Sequence, residues 1–173
     1  MKPFMSGALA LAFALGAAGA AFAEPPGDPK AVKTVDGKSF DAKGDPTYNI
    51  KPDGTVDFYT FSGYRRYMGN CSQCHGPDGM GSSYAPALAD SLKTIGYAEF
   101  AGIVIGGRQN VGGGNEKVMP ALGDDKNVTC YLDDIYIYLR ARSNDAVPRG
   151  RPDKHDPKPP AFEKAETECM GVN

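Results

Sequence analysis

The chain has 173 residues, with 19 Lys and Arg against 21 Asp and Glu, a formal net charge of −2 and four cysteines. So mild an acidic balance, without any run of basic residues, excludes the electrostatic footprint of a nucleic-acid binder. The length excludes a multidomain assembly and suits one domain with a modest core.

Residues 1–23 read as a secretory leader. Lys2 is followed by an apolar, alanine-rich run that ends in Ala21-Phe22-Ala23, the small-residue pattern of a cleavage site. Cleavage is expected before Glu24. A retained membrane anchor is the alternative, but the run is short and a Pro/Gly-rich segment follows it. Loss of Lys2 with the leader moves the charge to −3 over 150 residues. Export permits disulfides.

Residues 24–56 form an irregular N-terminal extension, in which "TVDGKSF" and "YNIKPDGTVDF" each place a Gly-containing turn between strand-favouring residues. One or two short hairpins are expected there. From Asp57, a plausible N-cap, Phe58, Phe61, Tyr64 or Arg65 and Met68 recur at helical spacing to about Asn70. The loop "HGPDGMGSSYAPAL" has too many breakers for regular structure. "YAEFAGIVIGG" is a short helix burying Phe100, Ile103 and Val104, followed by the glycine-rich "RQNVGGGNEKVMPALGDDKN". "VTCYLDDIYIYLRARSN" is the last clear helix, with Leu132, Ile135, Tyr138 and Leu139 on one face. Residues 146–173 form a proline-rich arm that cannot build its own core, though Cys169 near its end suggests it is tied down. Three helices separated by such long loops leave space that something other than side chains must fill, and a large flat cofactor would fill it.

Cys71-Ser72-Gln73-Cys74-His75 has the CxxCH spacing of covalent haem attachment. The two thiols add to the porphyrin vinyl groups, and the histidine then stands beneath the iron as proximal ligand. Structural zinc would need two further ligands, and the only other histidine, His155, lies in the polar tail. A thioredoxin-like pair would need a βαβ context. On the other face of the iron, Met119 in "KVMPALG" offers a thioether 44 residues after His75. Core filling is the bland role for any methionine. Met80 is too close to His75, Met68 lies on the helical apolar stripe, Met170 is in the tail, and His155 is the other soft candidate. Pro86 is placed for its carbonyl to accept the outer ring proton of His75, which would fix the tautomer; a simple turn proline is the alternative.

These residues resemble the class I cytochromes c. Gly63, Tyr67 and Cys71 step by four as in that family's first helix, "IYIYLRAR" resembles its C-terminal helix, and "MPALG" its methionine loop. The resemblance implies an all-α fold with three core helices around one haem over residues 57–145, and Tyr138 lying over Gly63. A narrower likeness in "DGTVDFYTFSGYRRY", "SLKTIGYAEF" and "YLRARSNDAVPRGRP" is to the four-cysteine cytochromes of methylotrophic bacteria. These are similar to cytochrome c-L, and the nearest subgroup is the XoxG type, which accepts electrons from lanthanide-dependent methanol dehydrogenase.

That resemblance implies a periplasmic one-electron carrier, not an enzyme, taking electrons from a PQQ-dependent methanol dehydrogenase and passing them to a further cytochrome or oxidase. A different quinoprotein donor, or a small peroxidase-like haem enzyme with open iron, are the alternatives. A monomer without membrane anchor is expected. Cys130 and Cys169, left over after haem attachment, then suggest a disulfide across about 40 residues, with an intermolecular bridge or free thiols as rivals. Arg149, Arg151, Lys154 and Lys158 are candidate partner contacts. Asp124, Asp125, Asp133 and Asp134 are read with the same choice between partner contact and solvated surface. The resemblance to c-L cytochromes also implies a calcium ion, whose ligands the sequence does not locate.

Overall fold

The computed structural model describes residues 25–110 and 117–171, so the expected leader and its cleavage site lie outside the described residues. The extension is more ordered than its composition suggests. Strands β1 (Lys33–Val35), β2 (Lys38–Phe40) and β3 (Pro46–Thr47) pair antiparallel in that order. Asp36 and Gly37, both at positive φ (52° and 83°), make the two-residue turn that joins the first two. The second expected hairpin is reduced to a single antiparallel bridge between Ile50 and Val56.

Helix α1 (Phe58–Asn70) starts at Asp57, whose carboxylate accepts the Thr60 N–H at 2.9 Å. Its fully buried face is Tyr59 to Gly63 plus Tyr67; of the expected stripe Phe61 lies within it, while Phe58, Tyr64 and Met68 are half-buried against the core. The deepest burial falls on Gly63 and Tyr67 because of a helix-on-helix contact. A Cβ on Gly63 would stand 1.8 Å from the Asp134 carbonyl oxygen and 2.8 Å from Tyr138 Cβ, so only glycine lets the two backbones touch. Tyr67 and Tyr138 meet at this crossing with ring centroids 5.6 Å apart.

The partner, α6 (Leu132–Ser143), is buried on every side except at Asp133. One apolar stripe could not foresee this. The extra cover comes from the N-terminal extension, which Arg140 holds by donating to Asp41 Oδ2 at 2.7 Å, to the Pro46 carbonyl at 3.1 Å and to the Gly27 carbonyl at 3.0 Å. Both ends of this ion pair are shut off from solvent, so losing either partner would strand a buried charge.

Between these helices lie α2 (Ser72–His75), a 3₁₀ turn (Pro77–Gly79), α3 (Leu88–Ser91), α4 (Tyr97–Gly106), a short ladder of β4 (Arg108–Asn110) with β5 (Lys117–Met119), and α5 (Lys126–Thr129). The ladder lies in what the sequence presents as loop. The last helix, expected to run unbroken over 128–144, is divided between α5 and α6 at Cys130 and Tyr131. The break turns the Tyr131 ring under the Arg66 guanidinium, 3.5 Å from its centroid, and into a second apolar cluster.

That cluster explains a second departure. The arm carries a full helix, α7 (Pro160–Met170), opened by Pro160 at its first position and stopped by Gly171 in the left-handed region. Phe162 is buried against Phe58 at 4.8 Å and Tyr59 at 5.4 Å between centroids. The prolines of the arm end where the helix begins, so they set its entry and do not prevent it.

Candidate haem-binding site

Helix α1 carries the chain into Cys71, whose N–H still donates to the Tyr67 carbonyl. The single turn of α2 then brings up His75, which is 8% exposed. Gly76 turns sharply at φ 71°, and the Gly81 N–H donates to the His75 carbonyl at 2.7 Å. A Cβ on Gly76 would come within 2.2 Å of the Gly81 carbonyl oxygen, so the return of the loop depends on glycine.

This closure places the Pro86 carbonyl oxygen 3.0 Å from His75 Nδ1. A carbonyl only accepts, so Nδ1 carries the proton and Nε2 keeps the lone pair a metal requires. Tyr67 adds a clamp that its helical spacing gives no sign of. Its hydroxyl donates to the Gly76 carbonyl at 2.5 Å and accepts the Gly79 N–H at 3.0 Å. Burial pushes this phenol well above the usual tyrosine range, which keeps it a neutral donor.

Cys71 is half-buried and Cys74 exposed, both as free thiols. Burial, reinforced by neighbouring Cys74, pushes the Cys71 thiol up to about 11. A thioredoxin-type redox pair needs the opposite shift. Among the described residues no group of three or more His, Cys, Asp or Glu side chains converges as a metal site. Two thiols one helical turn apart, beside a buried histidine of fixed tautomer, fit covalently attached haem.

Met119 lies on β5, half-buried and packed against the main core. Its strand pairs with Arg108, and a Cβ on Gly107 would stand 2.8 Å from the Met119 carbonyl oxygen, so the strap is pressed onto the end of α4. The rivals are occupied elsewhere. Met68 packs in the core, and Met80 is exposed with its sulfur 3.7 Å from Arg142 Nη2. Met170 packs in the second cluster. His155 stacks on Phe61 at 3.7 Å and donates from Nδ1 to the Asp156 carbonyl at 2.8 Å.

Cys130 and Cys169 are joined in a disulfide with 5.7 Å between Cα atoms. The cations of the arm make contacts within the chain. Arg149 Nε reaches Asp78 Oδ2 at 3.3 Å, Arg151 lies 5.2 Å over Phe61, Lys154 is 3.9 Å from Asp53, and Lys158 pairs with Glu166 at 2.6 Å. Of the surrounding acids, three are engaged within the chain. Asp125 caps α5, Asp133 accepts from Lys38 at 2.6 Å, and Asp134 accepts from Ser62 Oγ at 2.6 Å, while Asp124 is exposed.

A helical core closed over a CxxCH turn, with its histidine tethered to a proline carbonyl, defines a covalent haem-binding protein. No protein-family model matches the chain. Cytochrome c-553I of Paracoccus denitrificans is 52% identical over 134 residues, 78% of this chain but only 59% of that protein. Cytochrome c-555 of Methylococcus capsulatus is 35% identical over 100 residues, covering 57% of this chain and 75% of the relative. The crystal structure of the c-type cytochrome XoxG from Methylobacterium extorquens AM1 superposes with a TM-score of 0.77 at 54% identity, over 82% of this chain and 86% of that one. The chain belongs to the c-type cytochromes, with the class I fold, and is related to XoxG.

Proposed function

We propose that this protein is an exported, periplasmic one-electron carrier that receives electrons from a PQQ-dependent methanol dehydrogenase and delivers them toward the respiratory chain. The observation that carries the reading is the His75 Nδ1–H bond to the Pro86 carbonyl at 3.0 Å beside the paired thiols of Cys71 and Cys74. Cys71 and Cys74 would hold the haem by thioether bonds, and His75 Nε2 and Met119 would be the residues that bind its iron. Bound there, haem supplies a one-electron ferric/ferrous couple.

The protein's own contribution is to keep that couple unreactive toward everything except an electron. His75 is held by a carbonyl that cannot rotate away, because Gly76, Gly81 and the Tyr67 hydroxyl fix the loop that carries it. Met119, on a strap pressed onto α4, would supply the second ligand, and a haem iron so held would leave no open position for oxygen or peroxide, unlike that of a peroxidase-like enzyme. The donor's reduced quinone gives up two electrons, so two encounters complete one turnover. Likeness to XoxG supports the choice of donor.

Stopped-flow mixing with purified methanol dehydrogenase tests the assignment. Reduction far faster than that of an unrelated cytochrome c is expected, and equal rates would remove the methanol partner. The ligand set is tested separately: Met119→Ala should abolish the ferric sulfur-to-iron charge-transfer band, and Cys71→Ala with Cys74→Ala should abolish haem that survives denaturation.

A further inference from the structure

Met119 is tied to the helix that precedes it. Its strand β5 pairs with β4, Met119 against Arg108, directly after α4 ends. Beyond the strand, the Leu122 and Gly123 N–H groups donate to the Val104 and Ile105 carbonyls in the last turn of α4, at 3.0 and 3.2 Å. A Cβ on Gly107 would stand 2.8 Å from both the Met119 carbonyl oxygen and the Ala121 nitrogen, and one on Gly123 would stand 3.1 Å from the Ile105 carbonyl oxygen. Strap and helix are bonded at backbone distance on both sides of Met119, so they move as one body.

The helix itself is held to the rest of the chain at few points. Phe100 and Val104 enter the core, and the rings of Tyr97 and Phe100 lie 5.1 and 5.2 Å from that of Tyr136 on α6. Among the described residues, the side chains of α4 make one hydrogen bond to another element: the Tyr97 hydroxyl donates to Asp133 Oδ1, in the first turn of α6. Burial, and after it the bond to Asp133, push this phenol above the usual tyrosine range, so it keeps its proton and stays the donor. The other carboxylate oxygen of Asp133 accepts from Lys38 Nζ at 2.6 Å. Lys38 opens β2, paired with Val35 across the Asp36-Gly37 turn, and the extension that carries it is stapled to α6 by Arg140 and Asp41. The Asp133 carboxylate is thus gripped at both oxygens, by α4 on one side and by the extension on the other.

We infer that Tyr97, Asp133 and Lys38 form a latch between the N-terminal extension and α4 that keeps the Met119 strap shut, with Tyr97 as its positioning residue. The latch stands on this geometry, and its consequence rests on the reading of Met119 as an iron ligand. A hydroxyl bonded to a carboxylate is held more strongly than a neutral pair, and the partial burial of Lys38 and Asp133 preserves part of that strength. Cutting the bond raises the fraction of molecules in which helix and strap have swung away. An outside ligand that competes with Met119 then binds more tightly by the same factor, because its apparent affinity scales with that fraction. The extension supplies no expected haem-binding residue, yet it governs how well the site is closed to small molecules.

The test uses the ferric holo-cytochrome, titrated with cyanide at one fixed neutral pH. Tyr97→Phe, which keeps the ring against Tyr136, is expected to bind cyanide about tenfold more tightly than wild type, and Lys38→Met about threefold. Lys38→Arg keeps the cation and should match the wild type. Lys51→Met cuts the exposed pair of the extension with Asp156 and should change nothing. Hydrogen exchange is the second measurement: the Leu122 and Gly123 amides should open about tenfold faster in Tyr97→Phe, while Gly81 and the middle of α6 keep their wild-type rates. Where Met119→Ala binds cyanide more tightly than wild type, as the ligand reading requires, unchanged affinity in Tyr97→Phe or Lys38→Met overturns the inference. An equal gain in Lys51→Met, or exchange that quickens throughout α6, overturns it too, because either marks a general loosening. If Met119→Ala binds cyanide no more tightly than wild type, it is the ligand reading that fails. Exchange at Leu122 and Gly123 then decides the latch alone: a rise of about tenfold in Tyr97→Phe sustains it, and unchanged rates overturn it.

Discussion

The loop around His75 and the arm ending at Cys169 are both held shut, but by different means. The loop is closed by backbone: three glycines at positive φ, carbonyls as acceptors and one buried tyrosine hydroxyl. The arm is closed by side chains: a disulfide, an inserted phenylalanine, and Glu166 accepting from Arg66, Lys158 and Tyr131. Side-chain closures can be loosened one at a time without moving the rest. A backbone closure positions atoms to tenths of an ångström but fails as a unit. The backbone closure suits the ligand of a metal, and the side-chain closure suits a segment that must only be held down.

Substitutions at each region sharpen this contrast. The largest effect is expected from Cys130→Ser with Cys169→Ser, which should lower stability by about 4 kcal/mol on the chain-entropy estimate for a loop of this size. Chemical denaturation measures the loss, while the haem spectrum of the folded variant should stay unchanged, because α7 packs on Phe58, Tyr59 and Tyr131 and on none of the expected haem-binding residues. Tyr67→Phe should behave in the opposite way. It leaves the Gly79 N–H and the Gly76 carbonyl without their buried partner, at about 1–3 kcal/mol. Hydrogen exchange should show the amides of Gly79 and Gly81 opening at least tenfold faster, with α7 unaffected.

A third expectation concerns Asp134, beneath the α1–α6 crossing that both regions share. Burial raises its carboxyl to about 7 despite the Ser62 hydrogen bond. Because the folded state holds this proton more tightly than the unfolded chain, its contribution is fully present below about pH 4. It is lost as the pH climbs to 7. Thermal melts should therefore show wild type declining relative to Asp134→Asn across that window; parallel curves would contradict the assignment. The smallest effect is expected at the exposed pair of Lys164 and Glu168 on α7, 3.9 Å apart, where Lys164→Ala should leave the melting temperature unchanged.

Most of the loop was legible in the sequence, and less of the arm. Cys71, Cys74, His75 and Pro86 announce themselves by spacing, because the chemistry they serve fixes their separation along the chain. Gly63 was legible only through the family resemblance, and the close approach of two helices gives the physical reason for it. Tyr67's clamp was not, because a tyrosine at a helical position reads equally as packing. Helix α7 was missed because prolines counted over the whole arm hid their confinement to its first half. The burial of Arg140 and the order of the extension depend on each other across 99 residues, and no local pattern reports such a pairing.

The four cysteines also impose an order on biosynthesis. On the proposed haem attachment and export, Cys71 and Cys74 must remain thiols until haem reaches them, whereas Cys130 and Cys169 are oxidised, so one chain needs both sulfur chemistries in one compartment. Four cysteines can pair in three ways, and only one of those pairings contains the bond between Cys130 and Cys169. Even that pairing would close Cys71 onto Cys74, its near neighbour. The CxxCH pair emerges first and Cys169 nearly a hundred residues later, so the first pair is open to haem before the disulfide can close. Assembly is thus timed by where the cysteines fall along the chain.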